Sequence, residues 1–146
     1  MSVSLTADYQ GFGGDGKRTA SGIVLHLDKD NYAVLFLNNF RASYNSDTGP
    51  YAMFLKRQSG KNSKALFIQL RKSAPLGETP VQFRIEKRGF KYTGFVKLGS
   101  DGKWMKLGTH ALLGKKLTPG IFATQDDEAV EAIIEFDRFE IEKVKK

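Results

Sequence analysis

The sequence predicts an all-β protein, an antiparallel sandwich or barrel, and three observations carry that reading. Apolar residues recur with a period of two, the spacing that puts alternate side chains on opposite faces of a strand. Clusters of Gly, Asn, Asp, Ser and Lys punctuate these runs at short intervals, as hairpin connections do. No stretch joins helix-capping residues to a 3.6-residue apolar repeat.

The elements follow in order. Val3, Leu5, Ala7 and Tyr9 alternate with Ser2, Ser4, Thr6 and Asp8, a first strand with one buried face. Ile23, Leu25 and Leu27 alternate with Val24, His26 and Asp28 in a second, which Asp28-Lys29-Asp30-Asn31 joins tightly to a third over 32–40. That third run, Tyr32-Ala33-Val34-Leu35-Phe36-Leu37, is apolar at every position, as in a central strand covered on both sides. Strands over 51–58 and 65–71 flank the turn Ser59-Gly60-Lys61-Asn62-Ser63-Lys64. Val81, Phe83 and Ile85 alternate with Gln82, Arg84 and Glu86, and Lys87-Arg88-Gly89 turns the chain into a strand over 90–98, where Tyr92 is in phase with Phe90. Gly99-Ser100-Asp101-Gly102 leads to 103–107, and strands over 120–124 and 129–142 complete the set, with a helical turn as the alternative for 126–132. One domain is expected over 1–146.

Composition narrows the function classes. Cysteine is absent, which excludes disulfide frameworks, thiolate zinc sites and cysteine nucleophiles. The two histidines, His26 and His110, fall in separate strand regions, and no carboxylate–histidine pair has metal-ligand spacing. No apolar run reaches the roughly 18 residues of a membrane-spanning helix. Met1-Ser2-Val3-Ser4 carries neither a basic nor an apolar leader segment, so no signal peptide is expected within this chain, and the compartment is left open. The net charge of +7 would attract nucleic acid or another acidic polymer. Yet the cations are spread through turns and strand ends, where they keep sheet edges soluble.

Two motifs come close to known chemistry. Gly11-Phe12-Gly13-Gly14-Asp15-Gly16-Lys17-Arg18 approaches a phosphate-binding loop, but Arg18 stands where a magnesium-holding hydroxyl is needed, and a strand follows instead of a helix. Glu135-Phe136-Asp137-Arg138-Phe139-Glu140 is similar to the catalytic strand of family 16 glycoside hydrolases. Such a strand would use Glu135 and Glu140 as nucleophile and acid/base with Asp137 between them. A β-bulge is needed to bring glutamates five apart onto one face, and the gap between Phe136 and Phe139 suggests one. The alternative is a terminal strand with Phe136, Phe139 and Ile141 in the core and its carboxylates in water.

Candidate ligand residues come from rings and polar strand faces. Sugars are held by aromatic rings against their CH faces, with planar polar groups on their hydroxyls. Trp104, Tyr92, Tyr44 and Tyr51 are the rings to consider, the last two flanking the loop Asn45-Ser46-Asp47-Thr48-Gly49-Pro50. Gln82 with Arg84, and Gln69 with Arg71, alternate with core positions and would form a hydrogen-bonding floor if their strands share one sheet. His26 shares a strand face with Val24 and Asp28 and is a surface or groove residue.

A family resemblance runs from Ser21 onward. Ser21-Gly22-Ile23-Val24-Leu25-His26-Leu27-Asp28-Lys29-Asp30-Asn31-Tyr32 resembles a strand–turn–strand of concanavalin A-like lectin/glucanase domains. So does Pro80-Val81-Gln82-Phe83-Arg84-Ile85-Glu86-Lys87 with Tyr92 and Ser100-Asp101-Gly102-Lys103-Trp104, and so do the closing runs 117–123 and 132–141. The likeness points to the accessory sandwich domains at the C-termini of family 43 beta-xylosidases and to laminin-G-like bacterial domains. It implies a two-sheet antiparallel β-sandwich, a concanavalin A-like jelly roll. It also implies a non-catalytic binding or accessory role toward an oligo- or polysaccharide. No cofactor is expected beyond calcium, which some relatives hold near the closing strand and for which Asp137 is the candidate ligand. The rival readings are hydrolysis by Glu135 and Glu140, and a basic surface that holds a protein or polyanion.

Overall fold

A computed structural model describes residues 1–10, 19–39, 51–70, 80–113, 116–125 and 133–143. Eleven strands are formed: β1 (Ser2–Gln10), β2 (Thr19–Asp28), β3 (Asn31–Asn39), β4 (Tyr51–Gln58), β5 (Lys61–Asn62), β6 (Leu66–Gln69), β7 (Val81–Arg88), β8 (Lys91–Leu98), β9 (Met105–Ala111), β10 (Thr118–Gln125) and β11 (Ile133–Glu142). They build two antiparallel sheets. The five-stranded sheet runs β11-β1-β7-β8-β9, and the six-stranded sheet runs β10-β2-β3-β4-β5, with β6 also paired to β4. The sheets lie face to face and do not close, so the fold is a sandwich rather than a barrel.

Alternation selects the core. Val3, Leu5 and Ala7 of β1 and Val81, Phe83 and Ile85 of β7 are all buried, and they face Ile23, Leu25, Ala33, Leu35, Leu37, Ala52 and Phe54 from the other sheet. The sheets pack closely at Gly94, where an added Cβ would lie 2.8 Å from Cδ1 of Phe54. Two polar contacts tie the layers together. His110, 8% exposed, donates from Nε2 to the Phe54 carbonyl at 3.0 Å, and the Lys56 ammonium donates to the Ala111 carbonyl at 2.6 Å. A carbonyl can only accept, so Nε2 carries the imidazole proton.

Several sequence expectations shift. Phe90 lies in the β7–β8 turn and is exposed, while Tyr92 is 1% exposed, so the two are not companions on one surface. Leu27 leaves the core because a register break between His26 and Asp28 takes it out of pairing. Phe139 and Ile141 oppose Leu5 and Val3 and so share their inward face, yet both are exposed, because β11 is an edge strand. Only Phe136 and Ile134 of that strand pack against the core. Strand β3 is apolar on both faces as expected, but the described residues form two layers only. Its outward Phe36 meets Phe122 edge-on at 6.0 Å across Gly22, and no third layer covers it.

Candidate functional site

The outer face of the five-stranded sheet is the polar half of the alternation that fills the core. Register aligns its side chains in rows across four or five strands. One row reads Glu140, Ser4, Arg84, Phe95, Lys106, and the next reads Arg138, Thr6, Gln82, Lys97. A shallow groove of about 260 Å³ crosses these rows. The hydroxyls of Ser2, Ser4 and Thr6 and the amide of Gln82 line it, together with Arg84, Trp104 and Arg138.

Trp104 and Arg84 form the groove's wall. Trp104 stands one residue before Met105, which pairs with Val96, so the turn after β8 delivers the indole over the sheet. That turn is tight. Gly99 has φ 70°, and a side chain at Gly102 would run into the Leu98 carbonyl oxygen. The Arg84 guanidinium lies 4.3 Å from the Trp104 ring centroid and 4.9 Å from that of Phe95. Its Nε is 3.3 Å from a Glu86 carboxylate oxygen but misaligned for a hydrogen bond, so the contact is one of charge. Arg138 pairs with Glu140 at 2.7 Å. The Lys97 ammonium sits 5.2 Å from the Trp104 ring and donates to the Ser100 carbonyl at 3.3 Å.

The site residues expected from sequence therefore separate. Trp104, Gln82 and Arg84 come together. Gln69 does not join them: it lies on β6 in the other sheet, whose outer face points away from the groove, because a single hydrogen-bonding floor required strands that the fold divides between layers. Tyr51 and His26 belong to that same opposite face, Tyr51 in an edge-on contact with Phe67 at 5.8 Å and His26 exposed at the register position facing Tyr32. Tyr92 is corrected outright. Its ring is in the core, in phase with Val96, and offers no face to a ligand. Tyr44, Arg71 and the glycine-rich stretch 11–18 lie outside the described residues, as does the alternative helical turn at 126–132.

The carboxylate strand has the bulge that its sequence suggested. Thr6 opposes Arg138 and Ala7 opposes Phe136, which leaves Asp137 as the extra residue. Glu135 and Glu140 thus reach the same outer face, opposite Asp8 and Ser4. Four residues of strand separate those positions, about 13 Å between Cα atoms. A close pair with carboxyls about 5–5.5 Å apart would need both side chains to lean together. The Glu140 carboxylate is instead taken up by Arg138. Among the described residues, no group of three or more acidic or histidine side chains could hold a metal ion. Among them too, no helix is long and apolar enough to cross a membrane.

Sequence reasoning missed Phe95, Arg138 and Lys97. The first two had a signal: Phe95 sits on the polar side of the β8 alternation, and Arg138 follows the suspected bulge. Phe95 meets Arg84 across the β7–β8 hairpin, and Arg138 meets Glu140 two residues along its own strand; only strand order brings the two pairs onto one face.

No family model and no curated protein matches the chain. Solved structures do. The GH43 protein BlXynB from Bacillus licheniformis, as its K247S mutant, superposes with a TM-score of 0.65 at 18% identity, over 94% of this chain and 26% of that one. Xylan beta-1,4-xylosidase from Bacillus halodurans C-125 gives 0.61 at 14% identity, with the same 94% and 26% coverage. Galectin-Ib from Xenopus laevis gives 0.50 at 19% identity, over 93% of this chain and 89% of that one. The chain thus spans about a quarter of the length of these two Bacillus proteins. At these identities the likeness concerns architecture, and it agrees with the strand order and the open pair of sheets: the chain has the concanavalin A-like, lectin-type β-sandwich fold.

Proposed function

We propose that this chain is a non-catalytic glycan-binding sandwich, and that the glycan lies in the groove of the five-stranded sheet against Trp104. The observation that carries this reading is the joining, on one open sheet face, of an indole fixed by Arg84 with three hydroxyls and an amide in register. An indole offers an apolar plane for a sugar's CH face, while the hydroxyls and the Gln82 amide exchange hydrogen bonds with its hydroxyl groups and the guanidiniums of Arg84 and Arg138 donate to them. The hydroxyls, Gln82 and both arginines sit on strands rather than loops, so little order has to be created in these side chains on binding. Binding is reversible and leaves the glycosidic bond intact.

The fold likeness supports a carbohydrate-related role at the coarse level. The matched xylan beta-1,4-xylosidase makes β-1,4-xylan fragments the first ligands to try, with the chain as an accessory module. Affinity electrophoresis and calorimetry with xylo-oligosaccharides, preceded by a glycan array, test the reading. Binding by the wild-type chain that falls at least about tenfold in Trp104→Ala supports it, a loss of about 1.4 kcal/mol. A wild-type chain that ignores every glycan, or binds one equally well without Trp104, refutes it.

A further inference from the structure

The charges around the groove are balanced on one side and unbalanced on the other. Toward β11 and β7 each guanidinium has a carboxylate: Arg138 pairs with Glu140 at 2.7 Å and Arg84 with Glu86 at 3.3 Å. Glu142 adds a further negative charge on that side. Toward β8 and β9 stand Lys97 and Lys106, and among the described residues neither has a carboxylate within 4.0 Å. Asp101, the acidic residue of the adjoining turn, meets the Ser100 hydroxyl at 3.4 Å instead. Lys106 opposes Phe95, two residues from Lys97, so the two lysines are diagonal neighbours on one face, about 7–8 Å apart. Trp104 lies beside them.

We propose that the glycan taken by this groove is acidic, with a uronic acid whose carboxylate is held between Lys97 and Lys106 while the sugar ring meets Trp104. This rests on the reading of the groove as a glycan site and names its ligand class. The Lys97 ammonium now stands over the indole at 5.2 Å. A neutral sugar that seeks the ring must displace that cation and put nothing in its place. A uronate draws the ammonium onto its own carboxylate and uncovers the ring in the same step, so charge and stacking favour the same ligand. Glu140 and Glu142 on the far side repel a carboxylate there, which fixes the direction in which the chain of sugars lies.

Calorimetry on the full chain tests this with matched xylo-oligosaccharides, one neutral and one bearing a single glucuronic acid, and with a sulfated oligosaccharide and single-stranded DNA as further arms. At low salt the uronate should bind about tenfold more tightly than its neutral partner, the gain that two half-exposed charge pairs deliver. That preference should shrink at high salt. In Lys97→Gln/Lys106→Gln, the two affinities should come within about twofold of each other, with an unchanged melting temperature as the check on folding. Equal binding of acidic and neutral sugars by the wild-type chain overturns the proposal but leaves the groove a glycan site. A preference that survives the double substitution also overturns it, as does tighter binding of the sulfated sugar or of DNA than of the uronate. Binding of no sugar at all overturns the glycan reading itself.

Discussion

Replacing Gly22 with alanine should cost more than any other single methyl added to the described sheets. Gly22 sits in the middle of β2 and pairs with Phe36 on one side and Phe122 on the other. A Cβ there would run into the Leu35 carbonyl oxygen and would stand 2.7 Å from Phe36 Cα and 3.0 Å from the Leu35 carbonyl carbon. Ordinary carbon contacts lie near 3.5–4.0 Å, so the overlap is about 1 Å. All three atoms are backbone, so no rotamer change relieves it. The β2 and β3 backbones must part around this pair, at about 1–1.5 kcal/mol for each weakened ladder hydrogen bond and a further 1–3 kcal/mol of packing strain. The sum is about 3 kcal/mol, or roughly 6–12 °C of melting temperature in a chain of this size. Gly120→Ala is the internal control. It lies on the neighbouring strand and its Cβ would touch only Val24 Cγ1 at 3.4 Å, so it should be neutral or gain up to about 1 kcal/mol of strand propensity. Urea unfolding of both variants decides the matter. A Gly22→Ala chain within 1 kcal/mol of wild type, or a Gly120→Ala chain that is the less stable of the two, would refute this steric argument.

Other outcomes follow from the same contacts. Burial holds the His110 imidazole below its ordinary value of 6.5, opposed by the hydrogen bond to Phe54 and aided by nearby Lys56. The unfolded chain therefore takes up a proton that the folded chain resists. The His110 contribution to stability is complete above pH 6.5 and declines as the pH falls below it, and unfolding of His110→Gln between pH 7 and 5 should show a flatter decline. Phe83→Ala removes a ring with no exposure from the centre of the core and should cost about 3–5 kcal/mol in denaturant unfolding. Tyr92→Leu should lower stability by about 1–3 kcal/mol yet leave glycan affinity as it was, since its ring never reaches the surface. Glu140→Gln should tighten uronate binding, because it frees Arg138 in the groove and removes a carboxylate that repels the ligand, whereas Glu135→Gln, outside the groove lining, should not.

Much of the architecture was legible because strand formation is local. The alternation of Val81, Phe83 and Ile85 with Gln82, Arg84 and Glu86 names the buried face of β7 without any knowledge of its neighbours, and burial follows it residue by residue. The Asp28–Asn31 turn, with its Asn31 amide on the Asp28 carboxylate at 2.9 Å, is written in four consecutive residues. The bulge of β11 was also readable, because an extra residue between Phe136 and Phe139 breaks the period of two.

Sequence alone thus determined most of the strands, though not β5 inside the expected 59–64 turn or the reach of β9 to Ala111, and it determined which side of the strands is greasy and that aromatic and planar polar groups would be available on the other. Tertiary structure alone decided which of those groups meet. Gln82 and Gln69 are alike in sequence pattern but sit in different sheets, while Glu140, Ser4 and Arg84, scattered across the chain, became neighbours in one row. The exposure of Phe139 and the burial of Tyr92 have the same origin. Period-two alternation sets the face a side chain takes, but only the order of strands in a sheet sets whether another layer lies over it, and that order depends on contacts far apart in the chain.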